Sequence, residues 1–254
     1  MPFETIGLHV TLARTPVLRG VNLRLPAAQV VGLIGPNGCG KTTLLRSLAG
    51  LIHPDAGQVL LTGQPLSEMP ARNRARRIGL LPQSAEAPEG IRVADLVARG
   101  RTPHLRPLHP LSSNDHAAVA QAMASVGIAD LALRRVDQLS GGQRQRVWIA
   151  MVLAQETEVV LLDEPTSYLD LPHQIDLLRL ITRLGAGRSV IMVLHDLALA
   201  GRFCDHLVAM RAGCPVAQGS PQQVLTPETL RAVFDLDCAV MSDPLHGAPL
   251  VIPH

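Results

Sequence analysis

Lysine is all but absent from this chain and aromatic residues are scarce. Of 23 Lys and Arg side chains in 254 residues, Lys41 is the single lysine. One Trp, one Tyr and three Phe make aromatics 2% of the sequence. That leaves no base-stacking platform for single-stranded nucleic acid, so aliphatic side chains must build the core. With 47% hydrophobic residues they suffice, and the length fits one large domain or a core with a subdomain. A formal charge of +2 provides no strong field for nucleic acid. The four cysteines, Cys39, Cys204, Cys214 and Cys238, show neither a C-x-x-C pair nor a zinc spacing with histidine, which points to free thiols in a reducing compartment. His104, His109 and His116 likewise have no defined ligand spacing. No apolar run approaches the ~18 residues of a membrane span. Met1-Pro2-Phe3-Glu4 is not the basic opening of an export signal. The chain is expected to be neither exported nor membrane-spanning by itself, so a membrane role must pass through a partner.

Short aliphatic runs alternate with helical patterns, the sign of an α/β fold with buried strands. Strands are predicted over Gln29 to Ile34, Gln58 to Leu61, Ile78 to Leu81, Val159 to Leu162 and Val190 to Leu194. A helix is predicted from Lys41 to Ala49. Between Ser84 and Glu156 the strand signal vanishes. Helices are expected there around Val93 to Ala98, Asp115 to Val126 and Gly142 to Ala154, separated by a Pro- and His-rich stretch from Thr102 to Pro110. Asp170 followed by Pro172, and Thr226 followed by Pro227, start two later helices. The basic run Arg72 to Arg77 reads as a solvated helix face.

The lone lysine stands in Gly35-Pro36-Asn37-Gly38-Cys39-Gly40-Lys41-Thr42, the G-x-x-x-x-G-K-[ST] pattern, with Thr43 following. If any of the 23 cationic positions had been free to hold it, chance would put it there about once in 23. An ammonium is a compact point charge that fits between phosphate oxygens where the flat guanidinium fork does not. In such a loop the backbone N–H groups converge on an anion at a helix N-terminus. Lys41 would bridge the β- and γ-phosphates of a nucleotide, and Thr42 would offer its hydroxyl to Mg²⁺. Val160-Leu161-Leu162-Asp163-Glu164 is a buried strand ending in two carboxylates, Asp163 for the metal and Glu164 to polarise the attacking water.

Four further segments give a family likeness. Leu139-Ser140-Gly141-Gly142-Gln143 resembles the signature sequence of ATP-binding cassette (ABC) proteins. Gln83 after a short strand, Ser167-Tyr168-Leu169-Asp170, and His195 at a strand end resemble that family's Q-loop, D-loop and switch histidine, in its order. The resemblance implies a P-loop NTPase core with an inserted helical subdomain and an N-terminal antiparallel β region. It implies one domain over 1–254, with the core at 1–84 and 156–254 and the subdomain at 85–155. It also implies ATP and Mg²⁺ as cofactors, and a head-to-tail homodimer in which Ser140, Gly141, Gly142, Gln143 and Asp170 act on the partner's nucleotide. On the first nucleotide, Lys41, Glu164, Gln83 and His195 would be catalytic, with Thr42, Gln83 and Asp163 at the metal.

Within the family the chain is most similar to ATPase subunits of bacterial importers of ferric siderophores, haem and cobalamin. Gly100-Arg101-Thr102-Pro103-His104, Trp148-Ile149-Ala150-Met151 and Glu164 to Asp170 leading to His173-Gln174 carry that likeness. It implies a peripheral place on the cytoplasmic face of the inner membrane, two permease subunits docked near Gln83 and Gly100 to His104, and an external binding protein as indirect partner. Competing readings are an exporter ATPase and a soluble ABC ATPase. The latter usually carries a coiled-coil insertion or a second cassette, and this sequence has neither. The sequence departs from the family twice. No aromatic residue lies between Ile6 and Ile34 to stack adenine, which leaves Arg14 or aliphatic contact. Cys39 stands where a small residue is common, beside Lys41 and a helix N-terminus, a setting that lowers a thiol's pKa unless the side chain simply fills space.

Overall fold

The computed structural model describes residues 3–106, 109–167 and 169–254. Alternating side chains shape the first 25 residues into a hairpin of β1 (Phe3–Leu12) and β2 (Thr15–Leu25). Its turn residues Ala13 and Arg14 have φ of 47° and 68°, the left-handed pair that matches the twist of a two-residue hairpin. The wholly buried β3 (Val30–Ile34) runs through the glycine loop into α1 (Lys41–Leu48). β4 (Ala56–Leu61) and β5 (Gln64–Pro65) complete a four-stranded antiparallel sheet, order β2-β1-β4-β5. α2 (Ala71–Arg77) then leads into β6 (Ile78–Leu81).

Among the described residues no strand follows until β7 (Val159–Leu162). The interval is helical, with α3 (Val93–Ala98), α4 (Ser113–Ser125) and α5 (Gly141–Ala154). Beyond β7 come α6 (Leu171–Gly185), β8 (Ser189–Val193), α7 (Leu197–Phe203), β9 (His206–Arg211) and β10 (Cys214–Gly219). α8 (Pro221–Val224), α9 (Pro227–Phe234) and the hairpin of β11 (Cys238–Ser242) and β12 (Pro249–Pro253) complete the chain. The expected elements are all present, with ends shifted by a residue or two.

The central sheet has the order β10-β9-β3-β8-β7-β6 and is parallel except for β10. A strand buried on both sides sends alternate residues to opposite layers. Val31 and Leu33 pack with α1 and the antiparallel sheet, whereas Val30 and Ile34 pack with the helical segment and α6 to α9. Each buried Leu, Ile or Val contributes about 1.5–3 kcal/mol relative to exposure. α6 alone buries Leu177, Leu178, Leu180 and Ile181 on one stripe.

Two expectations about basic residues are corrected. The arginines of α2 remain partly exposed, but they are ties between elements rather than a free solvated face. Arg72 and Arg76 each donate to the Pro103 carbonyl at 2.9 Å, Arg74 donates to the Met69 carbonyl at 2.8 Å, and Arg77 pairs with Glu158 at 2.5 Å. Stretched guanidiniums reach neighbouring carbonyls that periodicity cannot reveal. Arg101, expected to face a permease, is only 6% exposed. Its guanidinium donates to Asp115 at 2.8 Å, to the Ala154 carbonyl at 2.7 Å and to Glu156 at 2.6 Å. Gly100 lies against the backbone of α5, where a Cβ would come within 2.1 Å of the Met151 carbonyl oxygen. His104 engages the Gln155 carbonyl at 2.9 Å. The segment from Gly100 to His104 braces the helical region internally.

Candidate active site

Parallel register aligns the C-terminal ends of β3, β7 and β8, so the loops that follow them open at one edge, the usual place for a ligand in an open α/β sheet. The glycine loop leaves β3 at Gly35. There φ is +149° and a Cβ would strike the Met210 carbonyl oxygen at 2.2 Å, so no side chain fits. Gly40, at φ +107°, caps α1. Lys41 is 5% exposed, and its Nζ donates to the Gly35 and Pro36 carbonyls at 2.8 Å each, which closes the loop upon itself. Thr42 Oγ1 donates to Asp163 Oδ1 at 2.9 Å, joining α1 to the end of β7, and Thr43 is buried beside it.

Asp163 is 2% exposed, and its second oxygen, Oδ2, has no hydrogen-bond partner. Burial pushes its carboxyl up, against the opposing bond from Thr42. An orphaned, buried carboxylate oxygen beside a threonine hydroxyl is the donor set that suits a hard divalent cation. The next residue, Glu164, has left-handed backbone with φ of 51°, strained for glutamate. Its carboxylate accepts hydrogen bonds from Gln83 Nε2 at 2.7 Å and Ser167 Oγ at 2.9 Å, and lies 2.6 Å from His195 Nε2. Burial opposes its ionisation, but the bonds from His195 and Ser167, with Gln83, outweigh that and hold it below the usual glutamate range.

Asn37, Gly38, Gly40, Lys41, Thr42, Thr43, Gln83, Glu164 and His195 line one cleft of about 530 Å³ together with Val17. Ser140, Gly141, Gly142, Gln143 and Asp170 are not among its lining residues. They stand elsewhere as a second unit. Ser140 caps α5 in a reciprocal box: Gln143 N donates to Ser140 Oγ at 3.3 Å and Ser140 N donates to Gln143 Oε1 at 3.1 Å. The N–H groups of Gly141 and Gly142 then have no partner in the helical ladder. Asp170 opens α6, but its carboxylate accepts from His173 Nδ1 instead of capping the helix. Tyr168, part of the segment read as a D-loop, lies outside the described residues.

Of the two readings of Cys39, space-filling is the one the fold bears out. Its side chain is 5% exposed in the apolar layer beneath α1. Burial raises its pKa despite Lys41, whose Nζ is 3.9 Å from the sulfur. Arg14 is not among the cleft residues, whereas Val17 is, which favours the aliphatic alternative for a base. Sequence reading missed Val17 and Ser167 as site residues. Ser167's signal was its place three residues after Glu164, one tight turn on.

The sequence and the fold are similar to those of known proteins. The family model for "ABC transporter" matches residues 18–167. The ferric enterobactin transport ATP-binding protein FepC of Escherichia coli (strain K12) is 48% identical over 251 residues, covering 97% of this chain and 93% of its own. The hemin import ATP-binding protein HmuV of Pseudomonas entomophila (strain L48) is 41% identical, covering 97% of each. The solved structure of cbiO1 from Clostridium perfringens, part of the ABC transporter complex cbiONQ, superimposes with a TM-score of 0.77 at 26% identity over 91% of this chain and 92% of that one. With that family model matching more than half of the chain and relatives 48% and 41% identical along nearly its whole length, the chain belongs to the ABC transporter family.

Proposed function

We propose that this chain is the ATP-hydrolysing subunit of a bacterial importer for ferric siderophore complexes, working as a homodimer against two permease subunits at the cytoplasmic face of the inner membrane. The observation that carries the hydrolytic reading is the clamped carboxylate of Glu164, poised at the mouth of the phosphate cleft between Gln83, Ser167 and His195. A carboxylate kept ionised by its neighbours accepts a hydrogen bond from an attacking water. His195, exposed on the cleft side, orients that water and meets the γ-phosphate. Lys41 exchanges its two loop carbonyls for phosphate oxygens when ATP enters. The backbone N–H groups of the loop hold the remaining phosphate charge.

Thr42 and Asp163 would hold a Mg²⁺ ion, and the Gln83 amide oxygen would be a third ligand. When bound, the ion neutralises charge on the β- and γ-phosphate oxygens. Asp163 keeps Thr42 oriented, and Glu164 stays free of the metal because its oxygens are engaged elsewhere. The separation of Ser140 to Gln143 from the cleft supports the dimer: two helix N-termini, one from each subunit, would face one γ-phosphate. Among the described residues no helix is long and apolar enough to cross a membrane, so transport requires permease partners.

The cargo rests on likeness to the enterobactin protein, at 48% identity against 41% for the haem protein. It is tested by uptake of radiolabelled ferric siderophore in a strain lacking the gene, complemented with wild type or Lys41→Ala, with haem and cobalamin in parallel. Siderophore uptake restored by wild type alone is the expected result. Loss of haem or cobalamin uptake instead corrects the cargo, and unchanged uptake of all three overturns the importer.

A further inference from the structure

His173 is used by none of the steps above, yet it touches both elements assigned to the second nucleotide. Its Nδ1 donates to the Asp170 carboxylate, while the ring lies against the first turn of α5. A Cβ built on Gly142 would come within 3.1 Å of the ring's Cδ2 and 3.6 Å of Cγ. The imidazole therefore occupies the space a side chain at 142 would need. Nearby, Gln145 Nε2 of α5 donates to the Pro165 carbonyl in the loop before α6, and Gln174 Nε2 of α6 donates to the Leu169 carbonyl in that same loop, at 2.8 Å each. The His173 ring is held by one carboxylate although more than half of the side chain is exposed. An exposed ring fixed this way loses rotamer freedom, a cost that a solvated surface histidine has no reason to bear.

We propose that His173 is a positioning residue for ATP hydrolysis, locking Asp170 to the N-terminus of the signature helix so that both meet the other subunit's nucleotide as one rigid piece. The inference rests on the ATPase reading above and adds to it the residue that joins the two partner-facing elements. Its effect belongs to the step after ATP has entered its own subunit's loop. Loss of the lock lowers kcat and weakens the ATP-bound dimer, while KM for ATP moves little. The bond from His173 holds the Asp170 carboxylate below the usual range.

The test compares wild type, His173→Ala and His173→Asn in the full-length chain. Asparagine places an N–H donor where Nδ1 stands. Steady-state ATPase is measured, and ATP-driven dimerisation is followed by light scattering in a Glu164→Gln background. The expected result for His173→Ala is a fall in kcat and a weakening of the dimer by about tenfold each, with KM within about threefold and the unfolding midpoint unchanged. Asparagine should recover most of the loss, and adding His173→Ala to Asp170→Ala should cost nothing further. Wild-type kcat and dimerisation in His173→Ala would overturn the proposal. So would a loss that tracks a lowered unfolding midpoint, or one that asparagine leaves untouched. A wild-type chain that neither binds nor hydrolyses ATP would instead overturn the parent reading, and that outcome shows in the first arm.

Discussion

Glu164 holds an ionised carboxylate on strained backbone and gives its two oxygens to three neighbours. Replacing it with glutamine keeps the shape and the strain but removes the charge that polarises water. Glu164→Gln should therefore retain ATP binding by equilibrium dialysis and lose turnover by at least about a hundredfold. Cys39 gives the opposite expectation to an activated thiol. Buried and raised in pKa, it should resist iodoacetamide at neutral pH in the native chain and react once urea opens the fold, as read by mass spectrometry of its peptide. Val17 offers a base only aliphatic contact, and a missing aromatic stack is worth about 0.5–1.5 kcal/mol. GTP should accordingly compete with ATP within about tenfold in a displacement assay.

At the scale of elements, Arg101 and Asp115 hold α3, α4 and the end of α5 together. Breaking a buried pair by removing one partner leaves the other charge uncompensated, so Arg101→Leu should destabilise the chain by about 3 kcal/mol in urea unfolding. Bonds from Ser112 and then Arg101 hold the Asp115 carboxyl well below the usual range. Because its folded pKa is depressed, its contribution to stability is complete above the unfolded carboxylate value of about 3.9 and is lost as pH falls below that. The stability gap between wild type and Asp115→Asn should thus hold steady near neutrality and shrink below about pH 4.

This junction also marks the limit of what the sequence discloses. Strands such as Val159–Leu162 were legible because a short wholly apolar run has few other readings. α3 and α5 are legible as helices because the strand signal vanishes there, and α5 opens at the signature glycines. Arg101 reads as surface because it is charged, and only the folded chain shows Asp115, Glu156 and the Ala154 carbonyl converging on its guanidinium. Phosphate-site residues were visible since their chemistry dictates fixed spacing. Val17 reaches the cleft through proximity alone, which spacing does not encode, whereas Ser167 stands one tight turn after Glu164.

For the whole molecule, the cleft bears the loop and Glu164 but not the signature residues, which the proposed dimer would bring in from the partner. Hydrolysis should then rise with the square of protein concentration at low concentration, and mixing a Ser140→Arg chain with a Lys41→Ala chain should restore part of the activity that neither has alone. First-order dependence on protein, with no complementation, would mean that one subunit suffices. The closure of Lys41 upon its own loop has a consequence for covalent chemistry as well. The only side-chain amine in the molecule is sequestered and doubly bonded. Acylating reagents that decorate most proteins at many positions will find a single internal target here, protected while the loop is shut. Its modification becomes a one-site clock for how often that loop opens, free of the background that every other lysine would add.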